Sequence, residues 1–242
     1  MEEILIYMLI KHHYIWDEVY NALRQKEPID IKNVKEEYIK LCCKYVTVIN
    51  EKYPLYLHDV LKPPFVIFYL GNIDLLNKQR ICIEGNIKES NLKYLKYLAW
   101  QNNVLCFKQD QLNEQTIDLL IKNHLPFVVY TEDLQHILNN KKLLEKNDKN
   151  SCCFVSEIYD KNNAEKRDDF YINRFFYGRE NIIIIFDSNK IADIQNNPYL
   201  SDSKTPIYLV FDNNKNVDNF CYSKMQIIHN FSEFKIVFIN KN

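Results

Sequence analysis

The hydrophobic positions of the chain follow two different spacings, one before about residue 50 and another after residue 63. In the first stretch, apolar side chains recur every three or four residues, as on the buried side of an α-helix. They are Ile4, Leu5, Met8, Leu9, Trp16, Val19, Tyr20, Leu23, Val34, Tyr38, Leu41 and Cys42. A turn is predicted at Pro28, and Asp30 is a suitable N-cap for the next helix. Residues 1–50 are therefore predicted to form a small helical module.

After residue 63, short and continuously apolar runs alternate with amphipathic stretches. Such runs are typical of parallel strands that are covered on both faces. The predicted strands are Phe65–Tyr69, Ile81–Ile83, Val104–Phe107, Phe127–Tyr130, Cys152–Val155, Ile182–Phe186, Ile207–Val210 and Ile236–Ile239. The predicted helices are Leu92–Trp100, Glu114–Lys122, Leu134–Glu145 and Asp169–Tyr177, and Asn189–Ser203 is predicted to be a loop. This alternation predicts an α/β fold over residues 51–242, a Rossmann-like and mostly parallel sheet with helices on both faces.

The charge balance and the glycine content limit the kinds of binding site that the chain can form. The 242 residues include 31 Lys and Arg against 32 Asp and Glu, so any nucleic-acid site must be a local patch. Only three glycines occur. Nucleotide-binding loops need several glycines because side chains would obstruct the phosphate, so a Walker loop or a G-x-G-x-x-G fingerprint is excluded.

The cysteines and histidines do not have the spacing of metal ligands. The seven cysteines include no C-x-x-C pair, and Cys82 and Cys106 lie within apolar runs. We therefore expect buried, reduced thiols and no metal or nucleotide cofactor. The N-terminus is acidic, unlike a signal peptide, and no run of 18 apolar residues occurs. A cytoplasmic location is the resulting expectation.

Several short motifs follow one another in a specific order. The first are a Tyr-Pro, a Pro-Pro, an apolar strand and a glycine, here Tyr53-Pro54, Pro63-Pro64, Phe65–Tyr69 and Gly71. Further along come Ile83–Lys88, Val155-Ser156-Glu157, Phe170–Gly178 and Ile184–Ser188. In this order the motifs resemble those of the DNA-processing protein A family (DprA/Smf). The resemblance covers about residues 45–242. The loops that are rich in glycine in the family are degenerate here, with Asn86-Ile87 in place of Ser-Arg and Lys108–Gln115 without any glycine.

The resemblance implies a function and partners. A member of this family is expected to bind single-stranded DNA and to help load a RecA-type recombinase during transformation or recombination. It is also expected to act as a homodimer, without a catalysed reaction. Two alternatives stay open: an enzyme of the lysine-decarboxylase-like group that hydrolyses nucleotides, and a protein-interaction remnant that has lost DNA binding. The enzyme would require glycine-rich loops and a carboxylate pair, which are not evident in the sequence.

Seven residues are candidates for DNA contacts. The resemblance places Asn173 and Arg174 in a basic pocket for a DNA phosphate, and we expect Arg174 to be exposed there. Gly85 and Lys88 follow a strand, where a helix N-terminus can face an anion. The remaining candidates are Lys108, at the carboxyl end of a strand, and Lys166 and Arg167, in a polar loop. The alternative roles are an ordinary strand-to-helix turn, solvated loops, and an Arg174 paired with Asp168 or Asp169.

Overall fold

The apolar runs predicted as strands, except the last one, form a single sheet. The computed structural model describes residues 1–39, 41–140, 150–164, 169–178, 182–197, 200, 205–211 and 225–239. Its strands are β1 (Lys44–Thr47), β2 (Val66–Gly71), β3 (Arg80–Glu84), β4 (Val104–Lys108), β5 (Phe127–Tyr130), β6 (Cys152–Ser156), β7 (Ile182–Ile185), β8 (Ile207–Val210) and β9 (Met225–Ile228).

The order of the strands places a crossover at the centre of the sheet. The order is β1-β2-β6-β5-β4-β3-β7-β8-β9. The pairs β1–β2 and β2–β6 are antiparallel, whereas all pairs from β6 to β9 across the sheet are parallel. From β3 the chain winds outward through β4, β5 and β6, and it later returns to the other side of β3 with β7. The carboxyl ends of β3 and β7 therefore border the crevice at which doubly wound sheets bind ligands.

Helices cover both faces of this sheet, so the predicted fold class is confirmed. They are α1 (Glu2–Lys11), α2 (Trp16–Arg24), α3 (Ile31–Ile39), α4 (Leu92–Trp100), α5 (Glu114–Lys122), α6 (Leu134–Asn139), α7 (Asp169–Tyr177), α8 (Ile191–Gln195) and α9 (Phe231–Ile239). The N-caps of α5 and α6 are Asn113 and Asp133, whose side-chain oxygens accept hydrogen bonds from the backbone N–H groups of Thr116 (2.8 Å) and His136 (2.7 Å).

Side chains from successive strand residues enter two separate hydrophobic cores. In β4, Leu105 and Phe107 belong to the core on one face, whereas Cys106 belongs to the core on the opposite face. Helix α1 contributes to the first core through side chains such as Ile6, and α7 contributes to the second through Phe176. This alternation follows from the period of two along a strand.

The prediction of a strand at Ile236–Ile239 is wrong, because these residues belong to helix α9. Phe234 and Phe238 are buried four residues apart, while Ile236 is 63% exposed. This is the pattern of a helix with one buried face, and a short apolar run does not by itself distinguish it from a strand. The loop predicted at Asn189–Ser203 also contains a helix, α8, which buries Ile191 and Ile194.

The predicted helical module is interrupted by strand β1. Residues 1–39 contain helices α1 to α3, but Lys44–Thr47 pairs antiparallel with β2 at the edge of the sheet. The register sets Val46 opposite Ile67. Strand β9 was not predicted because only Ile228 of its four residues is buried. Within the described residues, no helix is long and apolar enough to cross a membrane.

The expected burial of the cysteines is confirmed at four positions. Cys82, Cys106, Cys152 and Cys153 are buried in the sheet, and burial raises the pKa of the Cys106 thiol to about 11. Cys42 is exposed, and Cys43 is half-buried. Cys221 lies outside the described residues.

Candidate functional site

A polar cavity of about 1030 Å³ lies at the carboxyl edge of the sheet. The last residues of three neighbouring strands lie in its wall, namely Glu84 of β3, Lys108 of β4 and Tyr130 of β5. The other lining residues come from the segments that follow β4, β5 and β6, from α7, and from α8 with the turns on either side of it. They are Gln109, Asp110, Gln111, Glu132, Asp133, His136, Lys161, Asn173, Tyr177, Lys190, Asp193, Ile194, Asn196 and Asn197. The cavity thus occupies the place where this fold brings strand ends together.

A buried carboxylate, that of Glu84, organises the floor of the cavity. Glu84 is 2% exposed, and its Oε1 accepts a hydrogen bond of 2.5 Å from the Tyr177 hydroxyl. The amide nitrogen of Gln111 donates to the other oxygen, Oε2. Buried charge is tolerated when it is paired and hydrogen-bonded, and these contacts meet that requirement together with Lys108.

Lys108 completes this arrangement. Its Nζ lies 3.2 Å from Glu84 Oε1 and donates a hydrogen bond of 3.1 Å to the Tyr177 hydroxyl. The ammonium also lies 4.7 Å from the ring centroid of Tyr177 and 5.0 Å from that of Phe176. An ammonium has three N–H donors, so these two contacts leave one donor for the cavity. The positive charge is, however, balanced by Glu84.

The buried tyrosines predict a loss of stability in alkali. Burial, with Glu84 beside it, raises the pKa of Tyr177 well above its usual value. In the unfolded chain the Tyr177 hydroxyl loses its proton at about pH 10, whereas in the folded protein it keeps the proton at this pH. The stabilisation is therefore full below about pH 10 and is lost as the pH rises toward the folded pKa. We expect the Tm to fall above about pH 10 and the fall to be shallower in Tyr177→Phe; an equal fall in both proteins would contradict this.

Arg80 lies beside the end of helix α7 that carries Tyr177. The guanidinium carbon of Arg80 lies 3.1 Å from the ring centroid of Tyr56, and Nη1 donates to the Tyr130 hydroxyl at 3.5 Å. Gly178, at φ +52°, follows the last residue of α7, and a Cβ added there would lie 2.8 Å from the Tyr56 ring and 3.2 Å from Arg80 Nη2. The cation thus lies at the carbonyl end of the helix, where positive charge is favourable.

The expectation that Arg174 is exposed is wrong. Its side chain is 0% exposed, and Nη2 donates a hydrogen bond of 2.7 Å to Oε2 of Glu157, which is 8% exposed. Glu157 directly follows β6, whereas Arg174 lies on the inner side of α7, next to the buried Phe175 and Phe176. The pair therefore joins α7 to the sheet. Because the guanidinium does not reach solvent, Arg174 acts on the cavity only by positioning α7.

Gly85 is required by packing. It is buried at φ +98°, and a Cβ added to it would lie 2.6 Å from the Cβ of Asp187 and 2.9 Å from the backbone nitrogen of the same residue. The segments that follow β3 and β7 therefore approach each other through Gly85. Lys88 is exposed and is not among the residues that line the cavity. These two positions form the strand-to-helix turn that was the alternative interpretation.

Two of the remaining candidates lie in the cavity, and two cannot be placed. Lys108 and Asn173 both line it, and Asn173 is half-buried on α7, one residue before the buried Arg174. Lys166 and Arg167 lie outside the described residues. Of the predicted DNA contacts, the structure thus brings together Lys108 and Asn173.

Sequence reasoning missed Glu84, Gln111, Tyr177 and Lys190. The signal for Glu84 was available, because it is a charged residue at the end of the apolar run Ile81–Ile83, where strand ends converge. Tyr177 entered the sequence analysis only as the last residue of the predicted helix Asp169–Tyr177. Its contact with Glu84 joins residues 93 positions apart, and only the fold brings them together.

The charge of the cavity lining is negative. Its charged side chains are Glu84, Lys108, Asp110, Glu132, Asp133, Lys161, Lys190 and Asp193, so five carboxylates stand against three ammonium groups. Lys161 pairs with Glu132, and Lys190 lies 3.5 Å from Asp193. Each cation of the lining therefore has an acidic neighbour.

Solved structures with the same fold are known. The chain is similar to DNA processing protein A from Streptococcus pneumoniae, with a TM-score of 0.55 and 12% identity over 99% of this chain and 88% of that one. It is also similar to the Helicobacter pylori protein in a structure described as showing a unique single-stranded DNA binding mode, with a TM-score of 0.58 and 16% identity over 82% of this chain and 97% of that one. No family model and no curated protein matches the chain. At these identities the likeness shows the fold alone.

Proposed function

We propose that this chain is a DNA-processing protein that binds single-stranded DNA across the cavity at the carboxyl edge of its sheet. The observation that carries the proposal is the position of that cavity at the crevice of a DprA-like sheet, with Lys108, Lys161 and Lys190 in its wall. A similar fold is that of the H. pylori protein, whose structure is described by its single-stranded DNA binding mode. No catalysed reaction forms part of the proposal.

The acidic neighbours of these lysines decide the strength of binding. Phosphate contacts gain affinity by releasing counterions, and on single strands each contact contributes about −0.7 to the slope of log K against log salt. Glu84, Glu132 and Asp193 already neutralise much of the positive charge. Binding is therefore expected to be weak, with a shallow dependence on salt.

The test is a titration of labelled oligo-dT at several salt concentrations, followed by fluorescence anisotropy. The double variant Lys161→Ala with Lys190→Ala should bind more weakly, and its salt slope should be smaller by about 1.4 if each lysine makes one contact. Both side chains reach solvent, so we expect the fold to be unaffected. Lys96→Ala with Lys122→Ala, which removes two exposed lysines of α4 and α5, is the matched control. If the parent protein does not bind oligo-dT even at low salt, the proposal is contradicted, and the alternative of a protein-interaction remnant that has lost DNA binding is favoured.

We further propose that the bound strand is passed to a RecA-type recombinase by a homodimer of this chain. This step follows from the resemblance to DprA alone. Sedimentation of the protein, together with an assay of recombinase loading on protein-coated DNA, would test it. A monomer that does not accelerate loading would contradict this step and leave DNA binding intact.

A further inference from the structure

Five of the side chains that line the cavity are amides. They are Gln109, Gln111, Asn173, Asn196 and Asn197. A primary amide offers both donors and an acceptor, as the edges of nucleobases do. Asn and Gln recognise adenine through paired hydrogen bonds, and carboxylates accept from the amino group of cytosine. The lining thus has the groups that read a base edge.

Several of these amides are available to a ligand. The side chains of Gln109, Asn173 and Asn196 make no hydrogen bond to another residue in the part of the chain that the structure describes. Gln111 is 6% exposed; its nitrogen donates to Glu84, but its buried carbonyl oxygen has no partner among the described residues. An unsatisfied polar group of this kind in a cavity wall calls for an explanation.

The charge of the cavity argues against phosphate at its floor. Five carboxylates and three ammonium groups line it, and the least exposed of the three lysines, Lys108, is paired with Glu84. A phosphate would be repelled by the surplus of carboxylates, whereas an uncharged base is not. Bases with an amino group can in addition donate to Asp110, an exposed carboxylate of the lining.

We propose that the cavity receives one unpaired nucleobase, preferably one with an exocyclic amino group, while the phosphates remain at the rim near Lys161 and Lys190. Ligand cavities commonly measure roughly 300–1000 Å³, so a volume of about 1030 Å³ accommodates a nucleotide. The inference rests on the proposed function where the base belongs to a DNA strand. A free nucleoside would present the same chemistry, and the experiment below distinguishes the two sources.

The experiment compares three labelled oligonucleotides of equal length, oligo-dC, oligo-dT and one with abasic sugars throughout. Oligo-dC should bind at least about fivefold more tightly than oligo-dT and more tightly still than the abasic strand. All three should have the same salt slope, because their phosphate contacts are the same. Equal affinity for the abasic strand would overturn the inference while the proposed function stands. Equal affinity for oligo-dC and oligo-dT would also overturn it, because stacking alone tolerates any base.

Variants assign the effect to the amides. Asn173→Ala with Gln109→Ala should weaken oligo-dC binding at least about fivefold and leave binding of the abasic strand unchanged. Asn21→Ala, which removes an exposed amide from helix α2, is the control for Asn173→Ala. A loss that is equal for both strands would assign the amides to the DNA backbone and overturn the inference. If deoxycytidine binds but no oligonucleotide does, the base pocket is supported and the proposed DNA function fails.

Discussion

Arg174→Ala is expected to lower the free energy of unfolding by about 3–5 kcal/mol, because it leaves the Glu157 carboxylate buried without its cation. The guanidinium is fully buried and donates a hydrogen bond of 2.7 Å to that carboxylate. Glu157 is only 8% exposed and cannot be hydrated in its place without opening the contact between α7 and the sheet. Denaturation by urea, analysed for parent and variant with a common slope, gives the difference directly.

Two further variants separate charge pairing from packing. Replacing both partners, Arg174→Met with Glu157→Leu, should recover most of the loss, because a buried ion pair often contributes no more than apolar residues of similar volume. Lys161→Ala breaks the exposed pair with Glu132 and should cost at most about 1 kcal/mol. An Arg174→Ala protein of unchanged stability that has lost DNA binding would contradict the buried position and restore Arg174 as a contact residue.

The error over Arg174 shows which information a sequence lacks. The helix Asp169–Tyr177 was predicted with its observed bounds. In an α-helix, however, neighbouring residues point about 100° apart, so Asn173 lines the cavity while Arg174 faces the sheet. The partner, Glu157, lies 17 positions earlier at the end of another element. Local spacing cannot identify such a pair, because the strand order brings its two members together.

The fold could be predicted from the sequence more completely than the site. Strands β2 to β8 each contain a continuous apolar run because both faces of the sheet are covered there, and this pattern is visible without any knowledge of the neighbours. The misjudged elements lie at the edges of the sheet or outside it. Strand β9 is half-buried, and in the run at Ile236–Ile239 the helix buries Phe238 but leaves Ile236 63% exposed. Where burial is one-sided, short apolar runs do not decide between strand and helix.

The cavity illustrates the same limit. The rule that strand ends converge predicted Lys108 at the carboxyl edge of the sheet, and Lys108 lines the cavity there. It could not show that Glu84, at the end of the neighbouring strand, balances the lysine charge, or that Tyr177 joins the two. The resemblance to a DNA-binding family favoured Lys and Arg residues as candidates for DNA contacts. The side chains that are present in the cavity are mostly amides and carboxylates, which can form hydrogen bonds with a base edge.

Gly85→Ala is expected to destabilise the protein by about 3 kcal/mol without a specific effect on DNA binding. At φ +98° the backbone is in a region that costs other residues on the order of 1–3 kcal/mol. The new methyl group would also lie 2.6 Å from the Cβ of Asp187, and overpacking of this kind typically costs about 1–3 kcal/mol more. Thermal and urea unfolding of the variant measure the sum of the two effects.

A double-mutant cycle separates the clash from the backbone strain. Asp187→Gly removes the nearest atom, at the cost of the hydrogen bond of 3.0 Å that the Asp187 side chain accepts from the Asn189 backbone. If the clash contributes, the double variant should be more stable than the sum of the single effects predicts. Strict additivity would exclude the Asp187 side chain and leave the strained backbone, together with the 2.9 Å approach to the Asp187 backbone nitrogen, as the cause. A different result, parental stability with reduced affinity for oligo-dT, would contradict this prediction. It would indicate that the absence of a side chain at Gly85 leaves space for a DNA phosphate, the role that the resemblance implies for this loop.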